Sequence, residues 1–251
     1  MSDQEIKATY ARDGFVVVRQ PLIAADFAEL NRNLDRYIRD IVPGLPPSDA
    51  FYHVDRSKPE SLKQMQRMEQ DAFFEAYRAN PVWKALAESI LGEEAHASGV
   101  EWFNKPPATN HITPAHQDNY YFCLSPPQVL TIWMALDSVD EENGCLRYVT
   151  GSHLRGIRPH GRTQTLGFSQ GILDFGTDED YANEVPVALQ PGDMTVHHGN
   201  TIHRADANQS PTRNRRSFAM VFQGVSCRRD EEAFARYRAS SKAHEEQLIK
   251  T

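Results

Sequence analysis

His116 and Asp118 form an H-x-D pair whose side chains could bind one metal ion. The segment around them predicts a β-strand near 116–123, and alternate residues of a strand point to the same face. A third ligand must come from a distant part of the chain, and His203, in the segment MTVHHGNTIHRA, is the candidate. Two imidazoles and one carboxylate on one side of an ion leave the opposite positions open, which is typical of non-haem Fe(II) oxygenases. An H-x-D pair alone is equally compatible with a solvated or internally satisfied pair.

Arg215 and Ser217 follow His203 and share one face of a strand predicted near 216–225. A guanidinium group matches a carboxylate through two parallel hydrogen bonds, and a hydroxyl can add another. The pair therefore suits the distal carboxylate of a dicarboxylic co-substrate beside the metal. The alternative is a surface arginine cluster that forms ion pairs.

Short runs rich in β-branched and aromatic residues, separated by Pro, Gly and Asn, must position these side chains. They predict a mainly β protein with flanking helices, its core a sandwich or barrel such as the double-sheet jelly roll. We expect a single domain over 1–251, with a helical N-terminal part (1–94), a jelly-roll core (95–226) and a C-terminal helix (228–250). The predicted core strands lie near 97–104, 116–123, 129–137, 145–149, 185–189, 194–198, 201–205 and 216–225.

The flanking segments have helical periodicity. The predicted helices cover 3–12, with Asp3 as N-cap and Gly14 as the stop, then 24–41, and then 59–91 with a break at Asn80-Pro81. Residues 15–19 predict a strand, and residues 155–184 predict a long irregular loop.

Composition excludes several classes of protein. With 27 basic and 34 acidic residues the net charge is −7, which argues against a generally basic nucleic-acid binder. No apolar run approaches the roughly 20 residues of a membrane span, and the first residues lack the apolar segment of a signal peptide. Three cysteines without CxxC spacing do not suggest a disulfide scaffold or zinc site. We therefore expect a cytoplasmic protein whose partner is a small-molecule substrate, with the C-terminal helix as a candidate oligomer contact.

Three segments together resemble the phytanoyl-CoA dioxygenase family, to which ectoine hydroxylase also belongs. They are NKPPATNHITPAHQDNYYF, TIWMALDSVDEENGCLRYVTGSH and PGDMTVHHGNTIHRADANQS with the following NRRSFAM. The resemblance implies the double-stranded β-helix fold, Fe(II), O2 and 2-oxoglutarate as co-substrate. It also implies that the enzyme hydroxylates an unactivated C–H bond and releases succinate and CO2.

The same resemblance assigns roles to individual residues. His116, Asp118 and His203 would be the iron ligands, and Arg215 with Ser217 would hold the C5 carboxylate of 2-oxoglutarate. Lys105 and Trp133 would lie along the co-substrate. Because a carboxylate at 118 occupies the position that halogenating relatives leave open for halide, hydroxylation is the expected outcome.

The sequence departs from the family pattern at two places and leaves a third open. Ala205 stands where many members have a serine that contacts the co-substrate. The interval from His203 to Arg215 is one residue longer than usual, so Arg213 stays an alternative anchor. His197 and His198 lie close to the ligand motif, although the pattern favours His203.

The substrate side of the site is less defined. Glu101 and Phe103 share strand parity with Lys105, so Glu101 could bind a cationic group or pair with Lys105. Tyr120 and Tyr121 could line the pocket or belong to the core. A non-catalytic or differently metallated cupin-like binding protein stays the alternative function.

The predicted loop over 155–184 carries a basic cluster that could meet an anionic substrate or stay at a solvated surface. Acidic neighbours in the same loop could neutralise it, and His153 is expected to be structural. The basic residues are Arg155, Arg158, His160 and Arg162, and the acidic ones are Asp174, Asp178, Glu179 and Asp180.

Overall fold

The helices and strands come from a computed structural model that describes residues 1–165 and 168–248. Its α-helices are α1 (Asp3–Asp13), α2 (Ala24–Asp40), α3 (Ala72–Arg78), α4 (Pro81–Leu91), α5 (Asn119–Phe122), α6 (Asp178–Asn183) and α7 (Glu231–Leu248). Its strands are β1 (Phe15–Val18), β2 (Ala50–Tyr52), β3 (Leu62–Met65), β4 (Ala95–Lys105), β5 (Thr113–His116), β6 (Leu124–Ser125), β7 (Val129–Ala135), β8 (Leu146–Val149), β9 (His160–Thr165), β10 (Phe168–Ile172), β11 (Glu184–Val187), β12 (Met194–His198), β13 (His203–Ala205), β14 (Arg215–Gly224) and β15 (Arg228–Arg229).

Two antiparallel sheets form the β core. The larger has the order β1-β12-β7-β14-β4-β3-β2, and the smaller has the order β11-β8-β13-β5. Apart from the consecutive strands β2, β3 and β4 at one edge, neighbours in both orders are far apart in sequence, as in a jelly roll, so the predicted fold class is confirmed. Strands from the N-terminal part complete the larger sheet, because β1 pairs with β12 and β3 pairs with β4.

Strand alternation divides the larger sheet into two chemically different faces. The face toward the helices carries Phe218, Met220 and Phe222 of β14. These side chains share one apolar core with Trp83 of α4. The residues between them point inward, toward the smaller sheet. The same alternation holds in β12, where Met194 and Val196 belong to the helix-side core. Helices therefore cover one face, and the other face is left to line a cavity.

The first helix begins and ends at specific side chains. Ser2, rather than the predicted Asp3, is the N-cap, and it forms a capping box with Glu5. Gly14 ends the helix as predicted, with a φ of 83°. A Cβ at Gly14 would lie 2.5 Å from His153 Nδ1, so both the conformation and the close approach require glycine here.

The strand predicted near 116–123 is wrong beyond His116. The chain turns at Asp118 into the single-turn helix α5, since Asp118 already has helical angles of −57° and −39°. The side chain of Asn119 closes this turn, because it donates to the Leu124 carbonyl at 3.0 Å and accepts from the Leu124 amide at 3.0 Å. A local side-chain bond here replaces strand pairing.

Two other predicted segments also differ. The helix expected from 59 contains strand β3, because Leu62 and Met65 bury their side chains in the core. Helices follow as predicted from Ala72, with the break before Pro81. The expected irregular loop over 155–184 contains the β9–β10 hairpin and α6, while residues 166–167 of it lie outside the described residues.

The predicted C-terminal helix is present as α7, and residues 249–250 of the predicted range lie outside the described part of the chain. Within residues 1–165 and 168–248, none of the helices combines the length and the apolar character that a bilayer span needs.

Candidate metal and co-substrate site

His116 and His203 meet because β13 pairs with β5 and places the two residues directly opposite each other. Their ring centroids are 4.1 Å apart. His116 Nδ1 lies 2.8 Å from the carbonyl oxygen of Pro114, and His203 Nδ1 lies 3.0 Å from that of Thr201. Since a carbonyl only accepts, each Nδ1 carries the proton, and each Nε2 offers its lone pair. Such backbone bonds orient metal-binding histidines in proteins.

Asp118 completes the cluster with one carboxylate oxygen. Its Oδ1 lies 3.5 Å from the Nε2 atoms of both His116 and His203. Its Oδ2 accepts hydrogen bonds from Thr131 Oγ1 at 2.8 Å and from His197 Nε2 at 3.1 Å. The three candidate ligand atoms lie within 4.8 Å of one another. Hydrogen bonds thus hold Oδ2 in place, while Oδ1 faces the two imidazoles.

His197 and His198 differ from His203 in their contacts. His197 donates to Asp118, so its Nδ1 accepts the hydrogen bond from the Tyr148 hydroxyl at 3.0 Å. Both of its nitrogens are therefore used, and it positions the carboxylate. His198 accepts from the Asn200 amide at 2.9 Å and takes no part in the cluster.

The charge states of the cluster suit a divalent cation. Burial, and then the neighbouring His116, hold the pKa of His203 well below its usual value, so the imidazole is neutral. Burial alone would raise the pKa of Asp118, but the neighbouring imidazoles of His203, His116 and His197, the last through its hydrogen bond, lower it well below the usual range. Two imidazoles and one carboxylate form the donor set of a non-haem Fe(II) site.

Lys105 and Arg215 form a cationic end of the same interior. The two residues are opposite each other in the pairing of β4 with β14. Lys105 Nζ donates to the carbonyl of His111 at 2.7 Å, and Arg215 Nε donates to that of Gly144 at 3.1 Å. The guanidinium carbon of Arg215 lies 5.5 Å from the ring centroid of Trp133.

These buried cations lack a counter-ion within the described part of the chain, where no ion pair includes Lys105 or Arg215. Burial lowers the pKa of Arg215 to about 10. Lys63 of β3 lines the same interior and has interactions of its own, and burial lowers its pKa to about 8. Burial, followed by the charge of Arg215, lowers the pKa of Lys105 well below its usual value. Ser217 Oγ is buried without a hydrogen-bond partner among the described residues. This end therefore fits an anionic ligand that would restore the missing charge and hydrogen bonds.

Arg213, the alternative anchor, is paired elsewhere. Its guanidinium makes two 2.8 Å hydrogen bonds to the Asp140 carboxylate and a further contact with Glu142. Arg216 pairs with Asp137 in the same manner, at 2.7 Å. Arg215 is the arginine of this segment that lines the interior.

A cavity of about 290 Å³ joins the metal cluster to the cationic end. Phe103, Trp133 and Tyr121 line it, as does Tyr237 of α7. Tyr120 lies beside the cavity, in edge contact with Tyr121. Its hydroxyl donates to Gln170 Oε1 at 3.1 Å, and its ring stacks on His160.

Glu101 also lines the cavity, but its expected pairing with Lys105 is wrong. Lys105 bonds instead to a backbone carbonyl, and no ion pair or hydrogen bond within the described residues includes the Glu101 carboxyl. Burial, and then the charges of Asp118 and Glu69, raise the pKa of Glu101 to about 8.

The sequence did not single out three residues that line the cavity, Thr131, Tyr237 and Lys63. It indicated His197 only as an alternative metal ligand, whereas His197 bonds to Asp118. The parity of the strand around Thr131 and Trp133 is a usable signal for Thr131, because both face inward. No comparable signal exists for Tyr237, since the packing of α7 over the cavity depends on long-range contacts.

The basic cluster over 155–162 is partly neutralised by acidic neighbours, as the sequence suggests. Arg158 pairs with Asp174 at 3.0 Å and with Asp180 at 2.7 Å, and Arg155 pairs with Glu179. The Nε2 atom of His153 lies 3.2 Å from the carbonyl oxygen of Ala11, so the turn after β8 is tied to α1, which agrees with a structural role.

Comparison with known proteins identifies a related family. The family described as Phytanoyl-CoA dioxygenase (PhyH) matches residues 10–217. The peroxisomal phytanoyl-CoA dioxygenase of Bos taurus is 27% identical over 237 residues, which cover 89% of this chain and 69% of that protein. Phytanoyl-CoA dioxygenase domain-containing protein 1 of Danio rerio is 36% identical over 113 residues, covering 43% of this chain and 38% of that protein.

Solved structures give the same fold. The epimerase SnoN in complex with Fe3+, alpha ketoglutarate and nogalamycin RO superimposes with a TM-score of 0.71 at 25% identity, covering 90% of this chain and 84% of that one. EctD from S. alaskensis with 2-oxoglutarate and 5-hydroxyectoine gives a TM-score of 0.71 at 18% identity, covering 90% of this chain and 77% of that one.

Proposed function

Because this chain belongs to the phytanoyl-CoA dioxygenase family, we propose that it uses Fe(II), 2-oxoglutarate and O2 to hydroxylate an unactivated C–H bond of a small molecule. Succinate and CO2 are the other products. The observation that carries the proposal is the cluster of His116, Asp118 and His203 beside a cationic end without a counter-ion. SnoN, a solved structure similar to this chain, holds iron and alpha ketoglutarate.

His116, Asp118 and His203 hold the iron in this proposal. Their Nε2 and Oδ1 atoms already converge, so binding needs no change of tautomer or strand register. Thr131 and His197 keep Oδ2 of Asp118 engaged, which favours ligation through Oδ1 alone. A carboxylate at this position also fills the site where halide would bind, which favours hydroxylation.

Arg215 and Lys105 bind the C5 carboxylate of 2-oxoglutarate, and the buried hydroxyl of Ser217 supplies a further donor. The aromatic ring of Trp133 borders the co-substrate and supports the Arg215 guanidinium. When bound, iron and 2-oxoglutarate together activate O2, so that one oxygen atom enters succinate and the other enters the substrate C–H bond. The chain's own residues supply orientation and a cavity that excludes bulk water.

Succinate formation that depends on both Fe(II) and 2-oxoglutarate tests this function. An anaerobic titration of the Fe(II) protein with 2-oxoglutarate should give a visible metal-to-ligand charge-transfer absorption. Arg215→Ala should weaken 2-oxoglutarate binding about 10- to 100-fold, the range for a charge-assisted hydrogen bond, while iron binding persists. Arg213→Ala is the matched control, because that side chain is bound to Asp140.

Retained 2-oxoglutarate affinity in Arg215→Ala would overturn the anchor assignment. Absence of the absorption in the unaltered protein would instead favour a differently metallated or non-catalytic cupin-like binding protein. The free state of Cys123, Cys145 and Cys227 supports a reducing, cytoplasmic location, and α7 stays the proposed oligomer contact.

A further inference from the structure

Glu101 is a cavity carboxyl to which the proposed reaction assigns no task. It lies on the inward face of β4, in the same row as Ala219 of β14 and Trp133 of β7. It lines the cavity and has no hydrogen bond or ion pair with any described residue. Glu101 is half-buried, and a carboxyl group that has lost part of its contact with bulk water gains from a partner. The small Ala219 beside it leaves room for one.

The position of Glu101 separates it from the co-substrate anchor. Lys105 lies four residues further along the same strand, which is roughly 13 Å at the rise of an antiparallel strand. Thr131 lies two residues before Trp133 on β7 and is paired with His197 of β12. Both side chains donate hydrogen bonds to Asp118. Glu101 is therefore at the metal end of the cavity, away from Arg215 and Lys105.

The charges that act on Glu101 are both negative. Next to burial, the charges of Asp118 and Glu69 are what disfavours a further negative charge on its carboxyl. Bound Fe(II) would offset the charge of Asp118, and a bound diacid would neutralise Lys105 and Arg215 at the other end, so the negative charges that remain at this end are those of Glu69 and of Glu101 itself. Such a position favours a cationic ligand group over an anionic or neutral one.

From this geometry we propose that Glu101 binds an ammonium group of the substrate, so that the substrate class is a primary or secondary amine. This inference rests on the proposed function, because the amine is placed beside the iron that His116, Asp118 and His203 would hold. Glu101 acts as a specificity-determining residue. It fixes which C–H bond of the amine faces the metal.

The test uses butylamine, butanol and butanoate, three probes that share one carbon skeleton and differ in the terminal group. Each is titrated anaerobically into the protein loaded with Fe(II) and 2-oxoglutarate, and the perturbation of the charge-transfer absorption reports binding. We expect butylamine to bind at least about tenfold more tightly than butanol, and butanoate to bind weakest. In Glu101→Gln, a nearly isosteric change, the preference for butylamine over butanol should disappear.

Glu69→Gln is the matched control, since it removes a nearby negative charge outside this cavity. It should keep most of the preference. The inference is overturned if the unaltered protein shows no preference for butylamine, if no probe perturbs the absorption, or if Glu101→Gln keeps the preference. It is also overturned if both glutamine variants lose the preference equally. Absence of the absorption before any probe is added would refute the proposed function itself.

Discussion

The two faces of the larger sheet carry opposite kinds of residue on the same strands. In β14, Phe218, Met220 and Phe222 pack under the helices, while Arg215 and Ser217 face the cavity with incomplete hydrogen bonding. The residues that face the helices are packed against apolar neighbours. The inward residues are desolvated before any ligand arrives. Along one strand, residues that face the helices therefore serve stability, and residues that face the cavity serve ligand binding. Substitutions at adjacent positions should accordingly lower either the free energy of unfolding or the binding affinity.

Asp118→Ala should have the largest effect on activity. Loss of the ligand oxygen should reduce iron-dependent succinate formation more than about 100-fold, since even the partners of metal ligands typically contribute 10- to 100-fold. Circular dichroism should show that the fold persists, because the Asp118 side chain caps no helix. Full turnover in this variant would contradict its assignment as a ligand.

Phe218→Ala should have the largest effect on stability. Phe218 is fully buried against Phe74 and Tyr77, and truncation of such a ring costs about 3–5 kcal/mol in free energy of unfolding. Denaturant titration measures the loss. The molecules that remain folded should bind 2-oxoglutarate normally, and a selective loss of that binding would break the division between the two faces.

His197→Phe should weaken iron binding about 10- to 100-fold, because one of the two donors that hold Oδ2 of Asp118 is removed. Iron affinity can be measured by competition with a chelator. The control is His198→Phe, since His198 lies on the other parity of β12 and does not contact the cluster. Equal losses in the two variants would show that the effect is general packing.

The pH dependence of 2-oxoglutarate binding should be the smallest effect, a change of a few-fold to tenfold. The pKa of Lys63 is lowered to about 8 by burial, and a bound diacid should raise it, so binding takes up a proton. Affinity should therefore fall as pH rises from 7 through 9. Calorimetry in buffers of different ionisation enthalpy measures the uptake, and Lys63→Met should reduce it.

Strand positions and parity were accessible from the sequence because alternation leaves a direct signal. The strand at 194–198 and the inward set of Lys105, Trp133 and Arg215 illustrate this. Helix α5 was not accessible, since the bond from Asn119 to Leu124 overrides an apparent strand pattern. The bonding of Asp118 by His197 depends on sheet register, which spacing along the chain does not reveal.

Helix α7 borders the cavity through Tyr237, which makes edge contacts with the rings of Tyr120 and Tyr121. Among the described residues, this helix contributes none of the side chains that converge on the metal. Substitutions on the side of α7 that faces the cavity can consequently change the substrate selectivity, while the metal site and the oxidation chemistry stay intact. A library randomised at Tyr237 is therefore a direct route to altered selectivity.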